Sequence, residues 1–430
     1  MNNRQILVKR LIKAILFLFL VIRILFSAVD RSYFDDERAY MVRPLILFNI
    51  IKDKISTKKL RFAIYDQPWF PAYVYSIPWM ATDSYHPPTI PNLSDTKAFQ
   101  ILPLSNFDDN HNYNIYTSYN DTFGGFQEII LKGRVLSSIF LLLGLYILFD
   151  TFEVGVNFIT AVVSTYIVGF SFIFNFYLTK ATTDSLIFLL IVFSLWASHR
   201  TIISLGPLTL KRFIWTILWS SMVGGIAVST KLNGFLTFVN YEILLLVILS
   251  LRRIKFKWFI AGNIAFVLGV ALCYCLIHPY VFFNPKVAFQ KTVDHNVFVV
   301  KKINLDNPKD VFPKEKYKFI SKQVFTNEVF IPNKLLPLKT YLIFISIGLL
   351  TLFRLRLRIP TASLYFLLCL MAVINMIYMP LNWERYYVFI LLLVYSVFSL
   401  GLAEVTQAVF QILRKFQPRY MTRKIEDTDY

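Results

Sequence analysis

Long apolar runs alternate with short charged segments along most of the chain. About ten of these runs approach the roughly 20 residues that a helix needs to cross a membrane. They lie near residues 11–29, 134–149, 154–175, 185–198, 213–229, 234–250, 258–277, 339–353, 361–380 and 386–411. This pattern predicts an all-α polytopic membrane protein with about ten transmembrane helices. The first run has no clear small-residue cleavage site, so we expect a retained span and not a signal peptide.

Two long polar segments interrupt the runs, at residues 30–133 and 278–338. They divide the chain into an N-terminal transmembrane module (residues 1–277, including the first loop), the second loop (278–338) and a C-terminal set of helices with a basic tail (339–430). The middle of the first loop is rich in Pro and aromatic residues, so we expect an interfacial segment there and not a soluble domain. The second loop opens with an apolar, Pro-punctuated stretch suited to the interface, and its remainder, rich in Lys and Asp, is expected to be solvated.

Basic residues set the orientation of the predicted spans. With the N-terminus inside, every inner segment except the short "DTFE" is basic, whereas both long loops lie outside. The positive-inside rule therefore predicts cytoplasmic termini and two extracytoplasmic loops. Either a plasma (inner) membrane or an endoplasmic reticulum membrane fits this pattern.

Composition removes several classes of function. The chain is 56% hydrophobic and only 17% charged, so its net charge of +19 is explained by anionic membrane lipids and not by nucleic acid. The cysteines at 273, 275 and 369 lie inside apolar runs and show neither disulfide nor metal-ligand spacing. No cofactor follows from the residues, and a divalent metal ion stays an open alternative.

Three cations lie on the predicted outer face, against the topological bias. Lys180, Lys231 and Arg385 each occupy a short polar turn between spans, and Arg134 begins the second span on the same side. Such residues either extend to lipid headgroups or serve a function. If they converge in the fold, they could bind one lipid phosphate.

The stretch "SYFDDERAY" follows the first span and carries Asp35, Asp36 and Glu37. These acids could cap an amphipathic helix, but a cap needs one residue and three adjacent carboxylates repel. These acids and Asp184 lie on the predicted outer face, which also carries the three cations. A carboxylate base with cations around a leaving phosphate suits transfer of a group from a lipid phosphate. A soluble nucleotide donor is not expected, because no glycine-rich phosphate-binding motif is present.

Four stretches together resemble the C-type glycosyltransferases that use polyprenyl-phosphate sugars, nearest to the protein O-mannosyltransferase and lipid A aminoarabinose transferase families. "DDERAY" resembles their D-E-x-x-Y motif, and "GGIAVSTKLNGFL" resembles their G-[LI]-A-x-x-[ST]-K-x-x-G turn. A third likeness has two parts. Their R-x-x-S span is similar to "GRVLSSIFLLLGLYILF", and the basic residue followed by Asp at the mouth of a later span is similar to "FYLTKATTDSLIFLL". "NWERYYVFILLL" is similar to the Arg-Tyr opening of a late span. The likeness covers residues 1–250 well and the last 50 loosely.

The resemblance implies a C-type glycosyltransferase fold in which residues 1–277 form the catalytic module. It implies an inverting transfer of a hexose or pentose to an extracytoplasmic or lumenal glycan, lipid or protein acceptor. The catalytic base falls on Asp36, with Asp35 open by one position, and Glu37 would help hold the acceptor. Lys231, Arg385, Lys180 and Arg134 would bind the donor phosphate, with Asp184 as a supporting acid. The chain is shorter than typical members, and we expect no C-terminal sensor domain of the protein mannosyltransferase kind.

Two other classes compete with this prediction. A transporter or flippase of lipid-linked glycans would require ionisable groups inside the spans, and the span interiors hold few: Arg23, Glu242 and Glu404. An O-antigen-ligase type of polymerase keeps its catalytic groups in a large late loop, whereas here the acidic stretch lies in the first loop.

Overall fold

The computed structural model shows a bundle of helices, with no strand among the residues it describes. Those residues are 3–29, 37, 41, 44, 69–80, 126–204, 209–251, 253–278, 285–286, 290, 315–326, 338–354, 359–378 and 384–416. Asp35 and Asp36 lie outside this described part, as does most of both long loops.

Fourteen α-helices and two short 3-10 helices are described. The α-helices are α1 (Asn3–Val29), α2 (Trp69–Val74), α3 (Ser76–Met80), α4 (Phe126–Gly155), α5 (Phe158–Phe170), α6 (Phe172–Leu178), α7 (Thr183–Ile203), α8 (Leu210–Thr230), α9 (Leu236–Ser250), α10 (Phe256–Ile277), α11 (Lys316–Thr326), α12 (Leu338–Arg354), α13 (Ile359–Tyr378) and α14 (Val388–Phe416). The 3-10 helices, Leu232–Phe235 and Glu384–Tyr387, precede α9 and α14.

Every apolar run predicted to cross the membrane overlaps one or more of these helices, and the run at 154–175 is divided mainly between α5 and α6. Within the described residues, eight helices are long and apolar enough to span a membrane, and the bent pair α5–α6 makes a ninth. The run at 339–353 forms a shorter apolar helix. The prediction of an all-α polytopic membrane protein is therefore confirmed, with eight or nine full spans and one shorter helix where about ten spans were expected.

The buried core includes side chains of α4, α7 and α14, and among the eight straight spans of the described part α14 is the most deeply buried. Phe188 of α7 packs edge-on against Phe174 of α6, and Leu391 and Tyr395 of α14 are fully buried. In contrast, α1 and α10 expose most of their apolar side chains. Exposed Leu, Ile and Phe side chains on a long helix are the pattern expected of a surface that faces lipid.

The span formed by α5 and α6 bends by 59° at Ser171. Ser171 has extended backbone angles, which interrupts the helical hydrogen bonds of the carbonyls before it. Asn175 offsets this loss, because its side-chain amide donates to the backbone oxygens of Gly169 and Ser171. A break within an apolar helix is tolerated only where the freed polar groups find partners inside the protein, and Asn175 supplies them here.

Candidate active site

A buried ion pair fixes the acidic stretch to the helix bundle. Arg134 of α4 donates from its Nε to Glu37 Oε1 at 2.7 Å and from a terminal nitrogen to Glu37 Oε2 at 2.6 Å. Glu37 is fully buried and Arg134 is 4% exposed. Such two-point contact between a guanidinium and a carboxylate is the strongest form of charge-assisted hydrogen bond in proteins.

The same pair joins three elements of the fold. Arg134 also donates to the backbone oxygen of Ala28, one residue before the end of α1, at 3.3 Å. Glu37 Oε1 also accepts from the backbone N–H of Ala181 at 2.8 Å. Glu37 therefore bonds to residues 179–184, which connect α6 to the first turn of α7 and which we call the 179–184 turn.

The 179–184 turn is held from the first loop as well. Tyr75 lies between α2 and α3, and its hydroxyl donates to the backbone oxygen of Thr182. The same hydroxyl oxygen lies 2.7 Å from Ser137 Oγ of α4. Thr182 is the N-cap of α7, and its side chain contacts both the backbone N–H and the carboxylate of Asp184. An acid in the first turn of a helix is stabilised by the helix dipole, so Asp184 has a structural role in addition to any chemical one.

Lys231 lies where α8 ends, and Gly234 lets the chain after it turn back closely against α8. Lys231 has extended backbone angles, and the 3-10 helix that follows packs its Gly234 against α8. A Cβ at Gly234 would lie 2.2 Å from the backbone carbon of Ala227, a distance that only glycine avoids. The Lys-x-x-Gly spacing of the sequence is thus required for the return of the chain that places Lys231.

Two of the three cations converge on one ring. Lys231 forms an ion pair with Asp184, and its Nζ lies 5.6 Å from the centre of the Tyr386 ring. The guanidinium carbon of Arg385 lies 5.7 Å from the same ring. Asn375 of α13 supports this position by donating to the backbone oxygen of Tyr386 at 2.7 Å. These contacts place Lys231 and Arg385 around one point, with Asp184 as the shared acid.

Lys180 takes a different position from the other two cations. Its side chain is 1% exposed and its Nζ lies 5.0 Å from the Phe176 ring centre. A lysine extending outward to lipid headgroups would have an exposed ammonium group. The buried location of Lys180 within the 179–184 turn is inconsistent with that alternative, and it keeps Lys180 among the candidate phosphate ligands.

Sequence reasoning missed three buried polar side chains near these residues. Ser185 follows Asp184, Ser229 precedes Lys231 by two positions, and His278 caps the end of α10. All three are 2% exposed or less, and their side-chain oxygens and ring nitrogens have no hydrogen-bond partner in the described part of the chain. Ser185 and Ser229 lie within the quoted stretches, close to Asp184 and Lys231, but neither serine is a motif position itself. His278 has no charged neighbour in the sequence that marks it.

His278 is neutral in this environment. Its ring stacks on Tyr274 with centroids 4.4 Å apart and approaches the backbone of Ser229 without reaching hydrogen-bonding geometry. Burial lowers the pKa of His278 to about 4. A neutral imidazole carries one donor and one acceptor nitrogen, so His278 offers both functions to a bound hydroxyl group.

The structure brings together most, but not all, of the predicted site residues. Glu37, Arg134, Lys180, Asp184, Lys231 and Arg385 all lie at the end of the bundle that carries the 179–184 turn. The guanidinium of Arg134 is engaged with Glu37 and Ala28, which favours a positioning role over the predicted phosphate contact. Asp35 and Asp36 fall outside the described residues, although Asp36 directly precedes Glu37 in the sequence. No group of three metal-ligand side chains occurs in the described ranges.

Comparisons with known proteins give a structural likeness but no match by sequence. No protein-family model matches the sequence, and no curated protein matches it. Among solved structures, the chain is similar to the archaeal oligosaccharyltransferase AglB from Archaeoglobus fulgidus, solved with an inhibitory peptide and a dolichol-phosphate. The two share 11% identity and a TM-score of 0.48 over 94% of this chain. This chain covers 52% of that chain, about half its length.

Proposed function

We propose that this chain is an integral membrane glycosyltransferase. It transfers a hexose or pentose from a polyprenyl-phosphate donor to a glycan, lipid or protein acceptor on the extracytoplasmic or lumenal side of the membrane, with inversion at the sugar carbon. The observation that carries the proposal is the 179–184 turn. One end of this turn bonds to Glu37, the neighbour of Asp36, and the other end bonds through Asp184 to the phosphate-binding candidate Lys231.

The charges around the turn support a phosphate as the leaving group. Lys231 and Arg385 both surround Tyr386, while Asp184 is the carboxylate with which Lys231 pairs. Two cations against one acid leave a net positive charge near a low-dielectric environment, where an anion is bound more strongly than in water. The ion pair with Asp184 holds the Lys231 ammonium in place for a phosphate that would then share it.

The proposed reaction is a single displacement. Asp36 takes the proton of an acceptor hydroxyl, and the hydroxyl oxygen forms a bond to the anomeric carbon of the sugar. The bond between that carbon and the phosphate oxygen breaks, and its electron pair leaves with the polyprenyl phosphate. Lys231 and Arg385, with Lys180 nearby, neutralise the charge that develops on the phosphate. Attack opposite the leaving group inverts the configuration.

The test uses purified protein in detergent micelles with polyprenyl-phosphate mannose, glucose or arabinose. We expect release of polyprenyl phosphate when an extract of cell-envelope glycans and lipids from a strain deleted for the gene is added as acceptor. Mass spectrometry of that extract should show a product heavier by one sugar. Lys231→Gln should abolish both signals, and Arg200→Gln, in the ion pair with Asp150 at the opposite end of α7, should leave them unchanged. The absence of donor cleavage with all three sugars would contradict the proposal.

One observation favours a transporter of lipid-linked glycans as the second candidate. The span α5–α6 is broken at Ser171, and broken helices line substrate sites in many transporters. The micelle assay separates the two functions, because micelles have no separate compartments. A transporter would cleave no donor there, and would move lipid-linked sugar only after reconstitution into vesicles.

A further inference from the structure

The polar side chains near Lys231 are more numerous than phosphate binding requires. Ser229 and His278 are almost completely buried, and neither has a hydrogen-bond partner in the residues that the structure describes. Leaving a buried polar group unsatisfied is costly. Each such group calls for an explanation, and next to the candidate phosphate ligand Lys231 a bound ligand is an explanation that the position itself favours.

These two side chains belong to one place in the fold. The His278 ring approaches the backbone of Ser229, which joins the end of α10 to the last turn of α8. Two residues after Ser229, α8 ends at Lys231, whose ammonium pairs with Asp184. Ser185, the third unpartnered hydroxyl, follows Asp184 on the other side of that ion pair. We call Ser185, Ser229 and His278 the hydroxyl cluster.

The chemistry of the hydroxyl cluster indicates what it binds. Two alcohols and a neutral imidazole bring no charge, so they add little to the binding of a phosphate, for which Lys231 and Arg385 are suited. Serine hydroxyls and one histidine are also a poor ligand set for a metal ion. Each of the three both donates and accepts hydrogen bonds, and this matches a ligand with several hydroxyl groups.

We propose that the hydroxyl cluster binds the hydroxyl groups of the donor sugar, next to the phosphate held by Lys231 and Arg385. This inference rests on the proposed glycosyltransferase function and assigns the sugar a location within the same site. His278 and Ser229 then determine which sugars are accepted. A site that hydrogen-bonds a substrate hydroxyl rejects an analogue without it, because its buried polar groups are left unpaired.

The experiment compares two ligands on purified full-length protein. Polyprenyl phosphate carries no sugar, whereas polyprenyl-phosphate mannose, glucose and arabinose carry one. Binding of each ligand is measured by titration in micelles. The sugar increment is the dissociation constant of bare polyprenyl phosphate divided by that of the polyprenyl-phosphate sugar that binds most tightly. We expect His278→Phe and Ser229→Ala each to lower this increment about tenfold, the value of one or two hydrogen bonds. Both variants should leave the affinity for bare polyprenyl phosphate unchanged.

Two further variants make the outcome specific. His278→Gln keeps a donor and an acceptor, so it should restore most of the increment that His278→Phe loses. Ser164→Ala removes an equally buried and unpartnered hydroxyl from the middle of α5, so it should not change the increment. If His278→Phe does not fold, the sugar increment and the affinity for bare polyprenyl phosphate are still measured on Ser229→Ala and His278→Gln.

Failure of this inference is distinct from failure of the proposed function. If Lys231→Gln weakens binding of bare polyprenyl phosphate but the hydroxyl-cluster variants keep the full increment, the cluster has no role in sugar binding. If no sugar binds better than bare polyprenyl phosphate, the inference is likewise overturned. If bare polyprenyl phosphate does not bind at all, the glycosyltransferase proposal fails with it.

Discussion

Individual side chains of the acidic stretch differ sharply in what they can do. Glu37 has both carboxylate oxygens engaged, with Arg134 on two sides and the backbone of Ala181 on a third. Both oxygens are directed at donors of the protein itself, and the side chain is fully buried. These contacts favour a positioning role for Glu37, and the proposed base remains its neighbour Asp36, with Asp35 as the alternative.

Asp36→Asn tests the base directly. Asparagine keeps the shape of the side chain and its ability to cap a helix, but it cannot take a proton. We expect normal membrane insertion with turnover lowered by about 10²–10⁴-fold, measured as release of polyprenyl phosphate. Asp35→Asn is the matched control and should retain most activity. If Asp35→Asn is inactive and Asp36→Asn is active, the base is Asp35; if both are active, the acids only cap a helix.

Glu37→Gln should destabilise the folded protein. The substitution removes the carboxylate that pairs with the buried guanidinium of Arg134, and breaking a buried ion pair costs about 3–5 kcal/mol. Thermal unfolding in detergent should show a clearly lower midpoint. Arg200→Gln removes one partner of the Asp150–Arg200 pair, whose side chains are 42% and 27% exposed, and should cost about 0–1 kcal/mol. Equal midpoints for the two variants would show that the Glu37–Arg134 pair does not anchor the stretch.

His278 should make the protein less stable in mild acid. Its pKa is about 4 in the folded protein and near 6.5 when unfolded, so between these values the unfolded chain binds more protons. The free energy of unfolding should therefore fall as the pH is lowered through this window, by up to about 3 kcal/mol. His278→Gln should show a shallower fall when denaturation is followed from pH 7 to pH 4. Identical pH dependence in both proteins would indicate that His278 is not buried in its neutral form.

The elements of the bundle show why part of this structure follows from the sequence. A span must be apolar over the thickness of a membrane, so the runs at 185–198 and 258–277 predict α7 and α10 with little error. The bend at Ser171 is not predictable in the same way, because residues 154–175 form one continuous apolar run. It depends on Asn175, whose amide is stabilised at the break only after the chain has folded.

The site was predictable to the same degree. Sidedness alone predicts that Lys231 and Arg385 share one face, and the structure brings both to Tyr386. The pairing of Glu37 with Arg134 joins residues 97 positions apart, and nothing in either local sequence selects this partner. His278 lies in an apolar stretch with no charge beside it, so only its burial in the folded chain marks it.

Gly234→Ala tests the turn that places Lys231. The new methyl group would lie 2.2 Å from the backbone of Ala227 in α8, so the 3-10 helix must move and Lys231 must move with it. We expect loss of most donor cleavage together with a lower unfolding midpoint. Gly224→Ala in α8 is the control, because the atoms nearest to its methyl group would be side-chain atoms of Phe238 and Val270, at 3.1 Å or more. If both variants behave alike, the close approach at Gly234 is not required.

Across the whole molecule, the predicted orientation places the site outside the cytoplasm. The turn after α6, the end of α8 and the start of α14 all lie at one end of the bundle, since Asp184, Lys231 and Arg385 are neighbours there. The basic inner segments predict that this end faces outward. Donor phosphate, acceptor and product would then all meet on the outer side.

Cysteine labelling in intact cells tests the orientation. Ser321 in α11 and Ser204 after α7 are both exposed, and the predicted topology puts them on opposite sides. A cysteine at Ser321 should react with an impermeant thiol reagent without lysis, whereas a cysteine at Ser204 should react only after lysis. The background variant replaces the three native cysteines with alanine. Reaction of the Ser204 variant alone in intact cells would reverse the orientation and remove the site from the outer face.

The bend at Ser171 also sets the depth of the site. Helix α5 is 13 residues long and α6 is 7 residues long, which correspond to about 20 Å and 10 Å. With α6 turned by 59°, the two rise by only about 25 Å along the axis of α5, against a hydrocarbon thickness of about 30 Å. When α5 runs along the membrane normal, the 179–184 turn lies below the level of the surrounding lipid phosphates. Local thinning of the bilayer is one way to accommodate a short span. With such thinning, the phosphate of the proposed lipid donor would lie at the level of the turn and would need no lifting out of the membrane.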